Sequence, residues 1–311
     1  MATSTDAGLI PLYTTQFSTN LELLLQQRGS LLRGTTREGF HVGKMASPIN
    51  QVGAISAKPP AGRFVPKNRT DAEFVRRWVF PQEVELDQLI DSFDELQTIV
   101  DPKSQYVENS ADAIGRAWDD AIITAATGTS QIGQDAAGLT GETFTTASFQ
   151  IAVNFGSGAS DGLTVAKIIE AKRILRHFHN DLDREEPTLV IGSQQESDLL
   201  NQMQVVSTEF QSRPVLEDGK IVRFLGFRII VSERLPYNVG AASQRGVLAY
   251  VKSGVYLGVW KDVSNRVSIR NDLSSEPYDL YTSTMYGATR LQLGKVIQIL
   301  AADTTGADIT A

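Results

Sequence analysis

From Asp101 to Gly128 the apolar positions Val107, Ala111, Ile114, Trp118, Ala121 and Ala125 recur at alternating steps of four and three. That is the period of one helix face. Glu108, Asp112, Arg116, Asp119 and Asp120 fall largely away from this seam. Asp101 suits a cap that accepts from free backbone N–H groups, and Pro102 suits the first helical position. Gly128 is placed to end the helix in the left-handed conformation. A helix of about 26 residues is about 39 Å long, about twice the usual globular helix. The pattern fits either an ordinary core helix or a rod on which other parts of the molecule close. Ala111, Ala117, Ala121 and Ala125 let whatever covers it come near.

The flanking segments change the picture. Met1 to Asn20 is polar and rich in Ser and Thr, and reads as an extended arm. Asn20 to Arg33, with six leucines, reads as a short helix or docking segment broken near Gly29. Gly34 to Arg77 interleaves glycine and proline and has no helical period. Two arms of about 15 extended residues would reach about 50 Å from the body. Phe40, Val42, Met45, Ile49, Val52, Ile55, Phe64 and Val65 are too apolar for a solvated linker. Such a loop is stable only where it lies on a neighbour.

Further on, Phe74–Phe80 predicts a strand, Gln82–Leu96 a helix, Thr129–Thr143 a loop and Phe144–Phe155 a strand. Thr164–Asn180 predicts a helix capped by Thr164, Thr188–Ile191 a buried strand, and Gln195–Phe210 a helix. From Ile221 the chain is strand-rich, and Tyr278–Leu300 reads as two strands or one long bent one, with bulges allowed at Gly287 and Gly294. Helices in the middle with strands on either side predict an α+β fold.

Composition narrows the chemistry. Hydrophobic residues make up 41% of 311, enough for a real core. Cysteine is absent, so disulfides, thiolate nucleophiles and cysteine metal sites are excluded. The start, MATSTDAG, lacks a leader pattern, and VIQILAA is too short to cross a bilayer. Gly156 to Gly162 (GSGASDG) tempts as a nucleotide loop, but its glycine spacing fits neither the dinucleotide nor the phosphate-loop pattern; it reads as a connector before Thr164. His177 and His179 sit two apart at a helix end, hence on roughly opposite sides, and read as a solvated terminus. Asp119–Asp120 and Glu185–Glu186 read as solvated charge. Arg76 and Arg77 read as partners for acids of a neighbour or of the Glu83–Glu85 stretch. No catalytic constellation, cofactor site or metal site is expected.

The order of elements resembles the major capsid protein of tailed bacteriophages, in a podovirus-like subfamily. DPKSQY (101–106), GRAWDDAIITAATG (115–128), YTSTMYGATRLQLGKVIQI (281–299) and the Arg76-Arg77-Trp78 strand carry the resemblance. It implies the Hong Kong phage type of α+β fold. The expected parts are an N-terminal arm (1–33), an extended β-hairpin loop (34–77), and a peripheral domain (78–155) holding a spine helix (103–127). An axial domain (156–263) and return strands of the peripheral domain (264–311) complete it. Candidate assembly residues are Phe40, Val42, Met45, Ile49, Phe64, Arg76 and Arg77. Val107, Ile114, Trp118, Ala121 and Ala125 would pack the spine helix.

The resemblance further implies hexamers and pentamers in an icosahedral virion shell around double-stranded DNA, built in the host bacterial cytoplasm away from any membrane. A separate scaffolding protein, a portal and external decoration proteins are the expected partners, since the arm is too short to hold a scaffold segment. Lysine cross-linking, known in some relatives, is not carried over to Lys44, Lys58 or Lys67. The net charge of −7 argues against tight nonspecific binding to nucleic acid, yet suits a wall along which packed DNA slides. The alternatives are an encapsulating compartment shell protein of the same fold, a nucleotide-binding enzyme using Gly156–Gly162, and a tail or baseplate protein.

Overall fold

The computed structural model describes residues 26–53, 55–59, 62, 71–90, 103–135, 138–156, 158, 160–202, 221–239, 243–274 and 276–303. The first elements are β1 (Arg37–Phe40), β2 (Ala46–Val52), β3 (Phe74–Val79), β4 (Gln82–Ile90), α1 (Lys103–Thr127), β5 (Ser130–Ile132) and β6 (Thr140–Glu142). Then follow α2 (Thr146–Phe149), β7 (Gln150–Ile151), α3 (Val165–His177), β8 (Thr188–Ile191), α4 (Ser193–Leu200), β9 (Arg223–Phe224) and β10 (Phe227–Val231). The last four strands are β11 (Gln244–Tyr250), β12 (Val255–Ile269), β13 (Tyr278–Arg290) and β14 (Val296–Ala302).

These strands form three sheets: a long one ordered β1-β12-β13-β4, a six-stranded one ordered β7-β14-β11-β8-β10-β9, and a small one ordered β2-β3-β5-β6. The six-stranded sheet is built on apolar runs. Leu189, Ile191, Val247, Ala249, Ile297 and Ile299 are all fully buried, and α3 packs Ile168 and Leu175 into the same core. Thr164 caps α3 as the sequence predicts, its hydroxyl accepting from Lys167 N at 3.4 Å. The long sheet is half core and half projection. Val255, Leu257 and Val259 are buried with α1, whereas β12 beyond Val259 is mostly exposed. Tyr286 on β13 meets Trp118 edge-on at 6.2 Å and donates its hydroxyl to Ala117 O.

Several expectations are corrected. Gln82–Ile90 is a strand, paired with β13 over nine residues, rather than the start of a helix. Its acids alternate with Val84 and Leu86, which pack against the core. The loop expected over 129–143 holds the short hairpin β5–β6. Phe144–Phe155 is no continuous strand: Thr146–Phe149 forms one helical turn, and only Gln150–Ile151 pairs, with β14. Gly34–Phe40 belongs to the body, because β1 lies parallel to β12. The segment 264–311 divides between sheets: β13 joins β4, while β14 enters the six-stranded sheet beside β11. Asp101, Pro102, Phe64, Val65, Lys67, 91–96, 203–210 and the arm before Gln26 lie outside the described residues.

Gly128 ends α1 for a different reason from the one expected. Its N–H completes the helix by donating to Thr124 O at 2.8 Å, and its φ is not left-handed. A Cβ there would sit 2.6 Å from the same carbonyl. The predicted seam is also rotated. Ile114 and Trp118 are buried, but Val107, Ala121 and Ala125 are only half-buried, while Asp112, Gly115 and Asp119 are buried instead. Two coverings explain this. The sheets cover one side of α1, and the incoming chain at 26–32 covers another.

Candidate assembly surface

The incoming chain is held by carboxylates. Asp119, fully buried, accepts from Gln27 Nε2 at 2.6 Å, from the Ser30 hydroxyl, and from the backbone N–H groups of Leu31 and Leu32 at 3.0 and 3.1 Å. Asp112, two turns of α1 earlier, accepts from Gly29 N at 2.8 Å. Between them stands Gly115, where a Cβ would lie 2.4 Å from the Gly29 carbonyl carbon. Asp112, Gly115 and Asp119 thus form one stripe at helical spacing. Gly29 turns with φ +62°, a conformation that suits glycine. Leu32 then enters the core, and Arg33 lies 4.2 Å over the Trp118 ring. The Arg33 guanidinium also reaches Glu38 and Asp262, each at 3.3 Å. The chain is therefore fixed to α1 and the long sheet before β1 begins.

A second hub joins the far end of α1 to the small sheet. Arg290, with no exposed surface, donates to Ala126 O and Gly128 O at 3.1 and 2.7 Å, and to Glu142 O at 3.0 Å. A guanidinium so placed satisfies the last carbonyls of the helix and complements its dipole. Burial lowers its pKa to about 10, still well above neutrality. Arg77 is buried beside it. Its guanidinium pairs with Glu142 and donates to Gln51 Oε1 and Ser130 Oγ at 3.4 Å. This corrects the expectation that Arg77 meets Glu83–Glu85 or a neighbour: it is an internal strut. Arg76 is exposed and donates to Gln134 O at 3.3 Å.

Above this hub rise β2 and β3. Their far ends are held together, with Gly53 N donating to Glu73 O at 2.7 Å, and Gln51 Nε2 ties the hairpin to Leu291 O at 3.0 Å. Several apolar side chains here face outward. Phe40 is 74% and Val42 97% exposed, and Val52, Ile55 and Phe74 are exposed as well. Met45 and Ile49 are half-buried. Val52 and Phe74 lie opposite each other in register, and exposed apolar neighbours of this kind mark a contact surface.

The tempting small-molecule loop is already filled by the protein. At the start of α3, Leu163 N donates to Asp198 Oδ2 at 3.3 Å and Val165 N to Gln202 Oε1 at 3.0 Å. The fully buried Lys167 ammonium donates to the carbonyls of Asp161, Gly162 and Leu300 at 2.8, 2.7 and 3.2 Å. Burial lowers its pKa to about 8. Gly162 is small because Asp198 Oδ2 would be 2.0 Å from any Cβ. The N–H groups of Leu163 and Val165 at this helix start are thus engaged by side chains of the same chain. His177 ends α3 and His179 has left the helix with φ +57°. Among the described residues no three His, Asp or Glu side chains converge as a metal site.

The fold, with its projecting hairpin, long helix and two large sheets, is that of phage capsid proteins. Against the capsid protein of cyanophage P-SCSP1u it gives a TM-score of 0.73 at 17% identity, covering 98% of this chain and 97% of that one. The capsid of cyanophage Pam1 gives 0.72 at 14% identity, covering 98% and 100%. Mycobacterium phage Che8 gives 0.68 at 16% identity, covering 96% and 98%. Residues 9–303 match the family described as phage capsid protein, and the chain belongs to that family. No curated protein matches it by sequence. The family favours a virion shell over a compartment shell.

Proposed function

We propose that this phage capsid protein is the major shell subunit, assembling as hexamers and pentamers into an icosahedral container for double-stranded DNA. The apolar outer surface of the hairpin and the β1 edge carries this reading. Phe40, Val42, Val52, Ile55 and Phe74 stand in solvent. A second copy covering them would remove that apolar surface from water. A standard contact buries roughly 800 Å² per partner, and several weak contacts per subunit give a strong shell by multivalency.

In this reading the arm ends where it closes on α1, and the extended loop runs from about residue 41 to 73. The peripheral region is α1 with the long sheet, and the axial region is the six-stranded sheet with α3 and α4. The role is mechanical, with no catalytic step. Packed DNA makes no sequence-specific contact with the wall, which carries a net negative charge. A scaffolding protein and a portal act with the subunit in the host cytoplasm.

The hairpin ends meet at Gly53 and Glu73, so residues 54–72 can be replaced by Asn-Gly, a two-residue turn suited to a hairpin. The body of this variant should melt as the wild type does, while electron microscopy shows no closed particles. Normal particles from the shortened protein would remove residues 54–72 from the assembly mechanism.

A further inference from the structure

A cleft of about 450 Å³ opens where the β1 edge of the long sheet meets the six-stranded sheet. Arg37, Arg184, Arg228 and Lys252 line it, with Glu185 and Glu186. Both acids are engaged. Glu185 accepts from the backbone N–H and hydroxyl of Ser253, and Glu186 pairs with Arg223 at 2.8 Å. Among the described residues Arg184 pairs with the exposed Asp181, at 3.6 Å. Among the described residues Arg37, Arg228 and Lys252 are exposed and have no carboxylate partner. Unpaired cations gathered in a concavity raise the local potential and attract an anion.

The opposite edge of the same sheet carries that anion. Glu83, Glu85 and Asp87 on β4 are exposed, at alternate positions. Alternation puts them on one face, about 7 Å apart and about 13 Å end to end. Among the described strands β4 pairs with β13 alone, so its outer edge is free. The register places Arg37, on the cleft's side of the long sheet, on the same face as the row. Arg37 lies opposite Tyr256 and Tyr256 opposite Thr289, while Met285, Ser283 and Tyr281, on the same face of β13, lie opposite Glu83, Glu85 and Asp87. The Tyr281 hydroxyl further holds Glu85 at 2.9 Å.

We infer that the cationic cleft at the β1 edge receives the acidic row on the β4 edge of a second copy of this chain. The contact rests on the assembly reading above and specifies one of its joints. It is heterologous: each subunit offers a cleft to one neighbour and a row to another. Contacts of this type propagate around rings and shells. A nucleic-acid backbone could also neutralise the cleft, but the row matches it in charge and lies on the same face of each subunit.

The test uses two full-length charge reversals. Arg37→Glu with Arg228→Glu makes the cleft acidic, and Glu83→Lys with Glu85→Lys makes the row basic. Self-association is followed by analytical ultracentrifugation and particles by microscopy. Each reversal alone sets like charges together and should weaken association at least about tenfold. An equimolar mixture should recover it, because each variant's cleft then complements the other's row. Wild-type association should weaken as salt rises from about 0.1 to about 0.5 M.

The substituted residues are exposed, so each variant should melt within a few degrees of the wild type. If a reversal fails to fold, the corresponding Gln variants should weaken association by a smaller factor. Equal association by all variants, or a mixture no better than its parts, overturns the contact. So does loss of nucleic-acid binding on cleft reversal with association unchanged. Association that follows the mixing rule but yields tubes or sheets keeps the contact and overturns the shell reading.

Discussion

Asp119→Ala should release the incoming chain from α1 while the sheets stay folded. The carboxylate accepts four hydrogen bonds, two of them from the backbone N–H groups of Leu31 and Leu32. A hydrogen bond to a charged acceptor contributes about 1.5–3 kcal/mol, so four would naively give about 6–12. That sum is too large, because burying the carboxylate has its own cost and bonds to one group are not additive. A lower figure follows from what alanine leaves behind. Leu32 N is buried and Leu31 N partly so, and an unsatisfied buried donor costs about 1–3 kcal/mol. We expect a local loss of about 3–4 kcal/mol. At about 1.4 kcal/mol per decade, hydrogen exchange at Leu31 and Leu32 should speed up by at least about 100-fold. Amides of β8, β11 and β14 should change far less, since those strands are held by their own ladders. Asp119→Asn, which keeps an acceptor oxygen, should lie between. If the Leu31 and Leu32 amides of Asp119→Ala exchange within about threefold of wild type, the carboxylate is not what holds this segment.

Two more outcomes follow from buried charge. Arg77→Ala should destabilise the protein by about 1–3 kcal/mol, because the buried guanidinium and its hydrogen bonds to Gln51, Ser130 and the half-buried Glu142 would be lost; thermal unfolding checks this, and an unchanged melt with failed assembly would return Arg77 to an intermolecular role. Lys167 has a folded-state pKa of about 8 against an ordinary 10.5. Between these values the unfolded chain binds more protons, so stability should rise with pH there, by up to about 1.4 kcal/mol per unit from this group. Denaturant unfolding from pH 8 to 10 should show this slope as the difference between wild type and Lys167→Met, and a flat difference would refute it.

Much of the architecture is visible in one sequence, where local pattern and tertiary demand agree. The four-three spacing from Val107 to Ala125 marks α1, Thr164 marks the start of α3, and Thr-Leu-Val-Ile at 188–191 reads as the buried strand it is. The failures occur where pairing decides. In Gln82–Ile90, Leu86, Leu89 and Ile90 mimic a helix, and only the long partner β13 selects the two-residue period. Residues 130–132 and 140–142 are too short and polar to announce a hairpin. The polar clamps were hidden for another reason. Asp112 and Asp119 look like solvent-facing charge until a second segment lies on them. A signal did exist: an aspartate, a glycine and an aspartate at steps of three and four form a stripe as regular as the apolar seam. Arg290 carried no such cue, because nothing along the chain reveals that the end of α1 lies beside it.

The division of labour between polar and apolar contacts bears on assembly. Hydrogen bonds to Asp119 and Arg290 are directional, so they fix the register of the arm and of the small sheet against α1 within each subunit. Burial of Phe40 and Val42 in the proposed contact would be non-directional and would tolerate adjustment between subunits. The proposed shell, with five-fold and six-fold neighbours, would require that difference, since the same chain must keep its internal geometry while its contacts tilt. Stiff polar clamps inside and an apolar ribbon outside meet that requirement, and the charged edges supply orientation that apolar burial lacks. Weakening the clamps should therefore blur the shape of the subunit, while weakening the ribbon should lower the affinity of subunits that remain well formed.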